Sequence, residues 1–79
     1  MRLLGQIPHP HYLISVFKSN EKIILKFEVG PFEQVYKFLE NELIYDCESI
    51  SKLVNESVLS SVQKLFDEMN ENYKKIHER

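Results

Sequence analysis

The chain has 79 residues, 43% of them hydrophobic and 28% charged, and ten basic side chains against twelve acidic ones leave a formal net charge of −2. A charge so near balance excludes a general attraction to polyanions, and a lone cysteine, Cys47, excludes an intramolecular disulfide. The length allows one domain at most, one that buries only about 60 to 65% of the surface its unfolded chain exposes, so tight packing or self-association has to supply the remaining stability.

The first ten residues are expected to form an extended arm. Pro8 and Pro10 in the segment Ile7-Pro8-His9-Pro10-His11 disfavour helix for themselves and for the residues before them. Residues 3–17 carry no Asp, Glu, Lys or Arg, but Gln6, the prolines and the histidines interrupt them, and the stretch falls short of the ~20 apolar residues of a membrane span. Only Leu3 and Leu4 separate Arg2 from Gly5, too few for the apolar region of a secretory leader. The chain is therefore expected to be complete, cytoplasmic and not inserted in a membrane.

Residues 11–45 read as the sheet. Three segments, 11–18, 22–28 and 32–39, alternate apolar and polar side chains with period two and are separated by turn-length gaps, which predicts an antiparallel meander. Asn20 suits the first turn and Gly30 the second. Pro31 lacks an N–H and cannot close a two-residue Val29-Gly30 turn, so a four-residue connection through Glu28–Pro31 is expected. Leu43-Ile44-Tyr45 is a candidate for a short fourth strand.

Residues 46–79 read as the helical part. Asp46 suits an N-cap with Glu48 in the first turn, Ile50, Leu53 and Val54 fit a short helix, and Asn55 marks a break or a second cap. Val58, Val62, Leu65, Phe66, Met69, Tyr73 and Ile76 then recur at spacings of three and four, predicting a long C-terminal helix whose apolar stripe covers the sheet. The fold class is thus α+β: a three-stranded, or with residues 43–45 four-stranded, antiparallel meander packed on a long C-terminal helix with a short helix before it.

Turns at Asn20 and Gly30 sort the strand residues onto two faces. Tyr12, Ile14, Val16, Ile23, Leu25, Phe27, Phe32, Tyr36 and Phe38 share one, with Gln34 and Lys18 as its polar members. The other holds Ser15, Lys22, Lys26, Glu28, Glu33 and Lys37 together with Leu13, Phe17, Ile24 and Val35. With the second hairpin in the register that Glu28–Pro31 implies, Phe17, Ile24 and Val35 lie opposite one another and Lys26 lies opposite Glu33. A sheet with helices on one side has one core, so this apolar row needs another cover. The N-terminal arm, the short helix and another polypeptide are the candidates.

The chemistry-bearing residues are sparse. His9 and His11 form an H-x-H pair able to start a zinc, copper or nickel site, but no third ligand is placed by the sequence, and no metal is expected. Cys47 sits between Asp46 and Glu48, whose charges oppose thiolate formation, so an inert thiol is expected. Asn55-Glu56-Ser57 matches the glycosylation acceptor pattern, but in the absence of a secretory signal it reads as a helix cap. Glu28, Glu33, Gln34 and Tyr36 gather at the second turn without the concave, dry pocket that acid–base work requires. Catalytic residues, cofactor and metal are all read as none.

Charge divides unequally along the chain. Residues 1–39 carry five basic and three acidic side chains, and residues 40–79 five basic and nine acidic. The resulting expectation is a non-enzymatic protein-interaction or homo-oligomerisation module, a homodimer or a complex with another protein, using Leu13, Phe17, Ile24 and Val35 flanked by Lys26 and Glu33. The alternative is a weak single-stranded nucleic-acid binder using Lys22, Lys26, Lys37 and Phe17. It is disfavoured because that face offers one aromatic and is opposed by Glu28 and Glu33.

Overall fold

A computed structural model describes residues 1–78. The element order is β1 (Arg2–Ile7), β2 (Leu13–Ser19), β3 (Lys22–Val29), β4 (Phe32–Leu39), α1 (Cys47–Ser51) and α2 (Glu56–His77). The four strands form one antiparallel sheet in chain order, and the fold is α+β. Ile50 of α1 and Val62 and Phe66 of α2 join Tyr12, Ile14, Val16, Ile23, Leu25 and Phe27 in a single buried cluster, so both helices lie on the same side of the sheet.

The fourth strand is the N-terminal arm and not Leu43-Ile44-Tyr45. β1 pairs along the outer edge of β2, with Leu3 opposite Phe17 and Ile7 opposite Ile14, and a bulge at Leu4 shifts the register between Leu3 and Gly5. The bulge breaks the strict alternation, so that Leu4 and Ile7 both pack against the core while Leu3 is exposed. Gly5 lies opposite Val16 and against the first residue of α1: a Cβ there would stand 2.9 Å from the Cys47 sulfur. Residues 43–45 are held in a loop because the Asn41 side chain accepts from the N–H groups of Leu43 and Ile44, at 2.8 and 3.1 Å. That local competitor satisfies donors a strand would have used.

The first hairpin has the expected register, with Ile14 opposite Phe27 and Phe17 opposite Ile24 across the Asn20-Glu21 loop. Asn20, at φ 58°, is the one non-glycine residue with positive φ among the described residues. The second hairpin is tighter than expected. Its loop is Gly30-Pro31, flanked by the Val29–Phe32 pair, with Gly30 at φ 56°. Positive φ at the first loop position and the fixed negative φ of proline at the second suit a hairpin of the II′ kind. The missing N–H of Pro31 thus falls inside the loop, where no ladder bond is due. Face assignments survive, because the change moves β4 by two residues. The partners do not: Ile24 faces Lys37, Lys26 faces Val35, and Glu28 faces Glu33.

Both helices begin at the expected caps. The Asp46 carboxylate accepts from the Ser49 N–H at 2.7 Å while the Ser49 hydroxyl accepts from the Asp46 N–H at 3.0 Å, a reciprocal capping box, and Asn55 accepts from the Val58 N–H at 3.0 Å. The stripe on α2 is only partly used. Val62 and Phe66 are buried and Leu59 and Met69 pack at the edge of the core, whereas Val58, Leu65, Tyr73 and Ile76 stay substantially exposed. Two physical reasons account for this. A 22-residue helix is about 33 Å long, longer than the strands beneath it, so the C-terminal turns overhang, with the Tyr73 ring meeting that of Phe32 at 5.5 Å. Val58 and Leu65 also lie about 40° and 60° around the helix from Val62, on the side away from Phe66.

The polar members of the core face are accounted for. The Gln34 side chain donates to the Val62 carbonyl at 3.0 Å and accepts from the Tyr36 hydroxyl at 2.7 Å, fastening α2 to β4. Lys18 pairs with Glu40 at 3.1 Å. The Tyr12 hydroxyl donates to Gln63, and no described buried side-chain nitrogen or oxygen lacks a partner.

Candidate interaction surfaces

Neither intramolecular cover expected for the second sheet face is in place. The arm lies beside β2 as an edge strand, and α1 packs against β1 and β2 on the core side. What remains is an open face of four rows across β2, β3 and β4: Ser19–Lys22–Leu39, Phe17–Ile24–Lys37, Ser15–Lys26–Val35 and Leu13–Glu28–Glu33. β1 extends it with Leu3 and Gln6, which pair with Phe17 and Ser15.

The expected interface residues are all on this face, but they do not form one straight apolar row. Ile24 is buried at 7% exposure and Phe17 is half-buried, while Leu13 and Val35 are each 49% exposed and stand two rows and one row, respectively, from the Phe17–Ile24 pair. Sequence reasoning missed Leu39, 69% exposed, and Leu3, 53% exposed. Leu39 was available from the alternation of Glu33, Val35, Lys37 and Leu39, whereas Leu3 could not be assigned to a face without knowledge of the bulge. Ile24 forms part of a hollow of about 350 Å³ whose lining also includes Lys22, Lys37 and Leu39.

Charge on this face is ordered along the strands. Lys22 and Lys37 stand towards the Asn20 turn, and Glu28 and Glu33 oppose each other beside the Gly30 turn. Directly opposed carboxylates repel, and Lys26, one row away, holds both: its ammonium lies 3.2 Å from Glu33 and 3.5 Å from Glu28. The hydrogen bond to Glu33 and the charges of both carboxylates raise the Lys26 pKa above its ordinary value, against a smaller opposing effect of burial. Lys26 is therefore engaged within its own sheet, which leaves Lys22 and Lys37 as the basic groups at the other end.

A second apolar feature lies on the helical side. Because α1 packs toward β1 and β2 while α2 packs against β4, a groove of about 350 Å³ runs between them. Leu25, Tyr36 and Phe38 line it from the sheet, Ile50 and Leu53 from the α1 side, and Val58 and Val62 from α2. No sequence pattern points to it, since it arises from where the helices cross the sheet.

The chemistry-bearing candidates have structural roles. The His9 Nδ1 accepts from the N–H groups of His11 and Tyr12, at 3.1 and 3.3 Å, and its ring stacks on Tyr12 at 4.7 Å. One nitrogen of the H-x-H pair thus caps the turn into β2, and among the described residues no group of three or more His, Cys, Asp or Glu is placed to hold a metal ion. Cys47 is half-buried against Gly5, and burial together with the Asp46 charge raises its thiol pKa. Glu28, Glu33, Gln34 and Tyr36 divide between the faces: the carboxylates lie on the open side, while Gln34 and Tyr36 bond on the core side.

No described helix is long and apolar enough to cross a membrane. No family model, curated protein or solved structure matches the chain.

Proposed function

We propose that the chain is a non-enzymatic interaction module that works through the open face of its sheet. The observation that carries this reading is the placement of both helices on one side, leaving Leu3, Leu13, Phe17, Ile24, Val35 and Leu39 on the other with no element of the chain over them. In a domain this small an open apolar face forgoes burial that a docked surface would supply. Its mixed composition, with apolar side chains among charged ones, resembles the make-up of interfaces that form and dissolve rather than that of an obligate core.

The nucleic-acid reading has less support. Lys26 is occupied by Glu28 and Glu33, and Phe17 is the one aromatic of that face. Stacking platforms depend on several exposed rings along an uninterrupted basic track.

The test is association as a function of Phe17. Sedimentation equilibrium of the tag-free wild type and of Phe17→Asp, with circular dichroism to establish that the variant keeps its fold, should show association that the variant loses. An associated state unchanged by Phe17→Asp would refute the reading, and so would a variant that unfolds, which would make Phe17 a core residue of the monomer.

A further inference from the structure

Building on the sheet-face reading, we infer that the occupant of the open face is a second copy of the chain, related by a twofold axis that lies in the interface and runs across the strands between the Ile24 and Lys26 rows. Along β3 the open face reads Lys22, Ile24, Lys26, Glu28, with Lys37 on the basic side and Glu33 on the acidic side in β4. Two like faces can meet by twofold symmetry in two simple ways. An axis along the strands lays the basic end on the basic end and the acidic end on the acidic end. An axis across the strands lays each basic end on the other copy's acidic end, and only this one turns the pattern into attraction.

The shapes agree with the charges. Rotation about the axis across the strands exchanges the Phe17–Ile24–Lys37 row with the Ser15–Lys26–Val35 row. The large Phe17 ring then lies over the row position of the small, buried Ser15 of the other copy, and Val35 meets the methylene stem of Lys37. The outer rows exchange as well, so Lys22 lies over Glu28 and Leu39 over Glu33 of the other copy. The hollow whose lining includes Lys22, Lys37, Ile24 and Leu39, with Glu21 as its one carboxylate, is net positive and therefore receives the acidic end, where Glu33 keeps about half of its side chain exposed even while paired with Lys26. Lys26 neutralises one of the two carboxylates in its own sheet, and the remaining negative charge meets Lys22, with Lys37 one row further along.

Size sets the strength. Four strands about 4.8 Å apart and seven residues of about 3.4 Å give a flat footprint near 450 Å² per copy. Side-chain relief brings the pair to about the lower end of specific interfaces, roughly 1,200 Å² in total. A dimer of that size dissociates on dilution instead of being obligate.

The experiment is sedimentation across a protein concentration series, in low and in high salt, for three proteins: wild type, Lys22→Glu/Lys37→Glu, and a fivefold variant that adds Lys26→Glu/Glu28→Lys/Glu33→Lys, so that position 26 still holds both of its neighbours. The wild type should dimerise more weakly as salt rises, and the double variant should dimerise roughly 10-fold or more weakly, because symmetry applies each change twice. The fivefold variant, with every charge of the pattern inverted, should recover most of the lost affinity. Strengthening by salt would overturn the proposed axis in favour of the one along the strands. A wild-type chain that stays monomeric at about 1 mM would overturn self-pairing, since even millimolar affinity is within reach of a small interface. Association that Phe17→Asp abolishes but the charge variants leave unchanged would overturn the inference while leaving the sheet-face reading intact.

Discussion

Replacing Phe66 by alanine tests the α2–sheet packing most directly. Phe66 is 4% exposed, and its ring lies 5.6 Å from that of Tyr12 and 6.5 Å from that of Phe32, so it joins α2 to both ends of the meander. Truncating a buried phenylalanine costs about 3 to 5 kcal/mol, the spread depending on how far the site collapses. A chain of this length has roughly 4 to 12 kcal/mol in all. At ~4 to 8 °C per kcal/mol the melting temperature should drop by roughly 12 to 40 °C. The control is its neighbour Leu65, 44% exposed, whose replacement by alanine should cost about 0.5 kcal/mol or less. Thermal and urea unfolding followed by circular dichroism at low micromolar protein, where self-association contributes little, measures both. Equal losses at the two positions, or an unchanged Phe66→Ala midpoint, would mean that α2 presents a different face to the sheet.

Gly5→Ala should destabilise by about 1 to 3 kcal/mol, because the new methyl would stand 2.9 Å from the Cys47 sulfur, and Cys47→Ala in the same chain should recover part of that loss; equal losses with and without the sulfur would refute the contact. Lys26→Met should lower the melting temperature by leaving Glu28 and Glu33 opposed without a cation, and Glu28→Gln should restore it, which a melting series in low salt would show. Lys26, Tyr12 and Cys47 all have raised pKa values, Lys26 chiefly through its hydrogen bond to Glu33 and the other two chiefly through burial. Raised folded-state values contribute stability that is fully present below the unfolded pKa and is lost as pH rises through the folded one, so unfolding midpoints should fall above about pH 9; midpoints constant to about pH 11 would contradict this. Zinc titrated into tag-free protein should bind no tighter than about 10 μM, since His9 spends Nδ1 on the turn into β2; stoichiometric submicromolar binding would overturn that assignment.

Much of the fold is local and therefore legible in the sequence. Period-two alternation specified β2, β3 and β4, Asp46 and Asn55 marked the two helix starts, and the parity of the turns sorted side chains onto the correct faces even where the register was two residues off. Parity is robust because a shift of two residues returns each side chain to the same side of the sheet. What the sequence left open depends on contacts between distant segments. β1 exists because the edge of β2 was free to accept the N-terminal arm, and the bulge at Leu4 decides which of its side chains reach the core. The second hairpin closed at Gly30-Pro31, where the positive φ of Gly30 suits the tight turn and the missing N–H of Pro31 falls inside the loop, so the donor argument that excluded a Val29-Gly30 loop does not count against it.

The open sheet face shows the same division. Its residue types were written in the alternation, including the lysines at one end and the glutamates at the other. Only the tertiary structure decided that the arm would extend this face instead of covering it, that Ile24 would sink among its neighbours while Leu39 stood out, and that Lys26 would hold two carboxylates at once. The physical reason is that alternation is set by each strand's own backbone, whereas cover, burial and ion pairing depend on where every other element finds its lowest free energy.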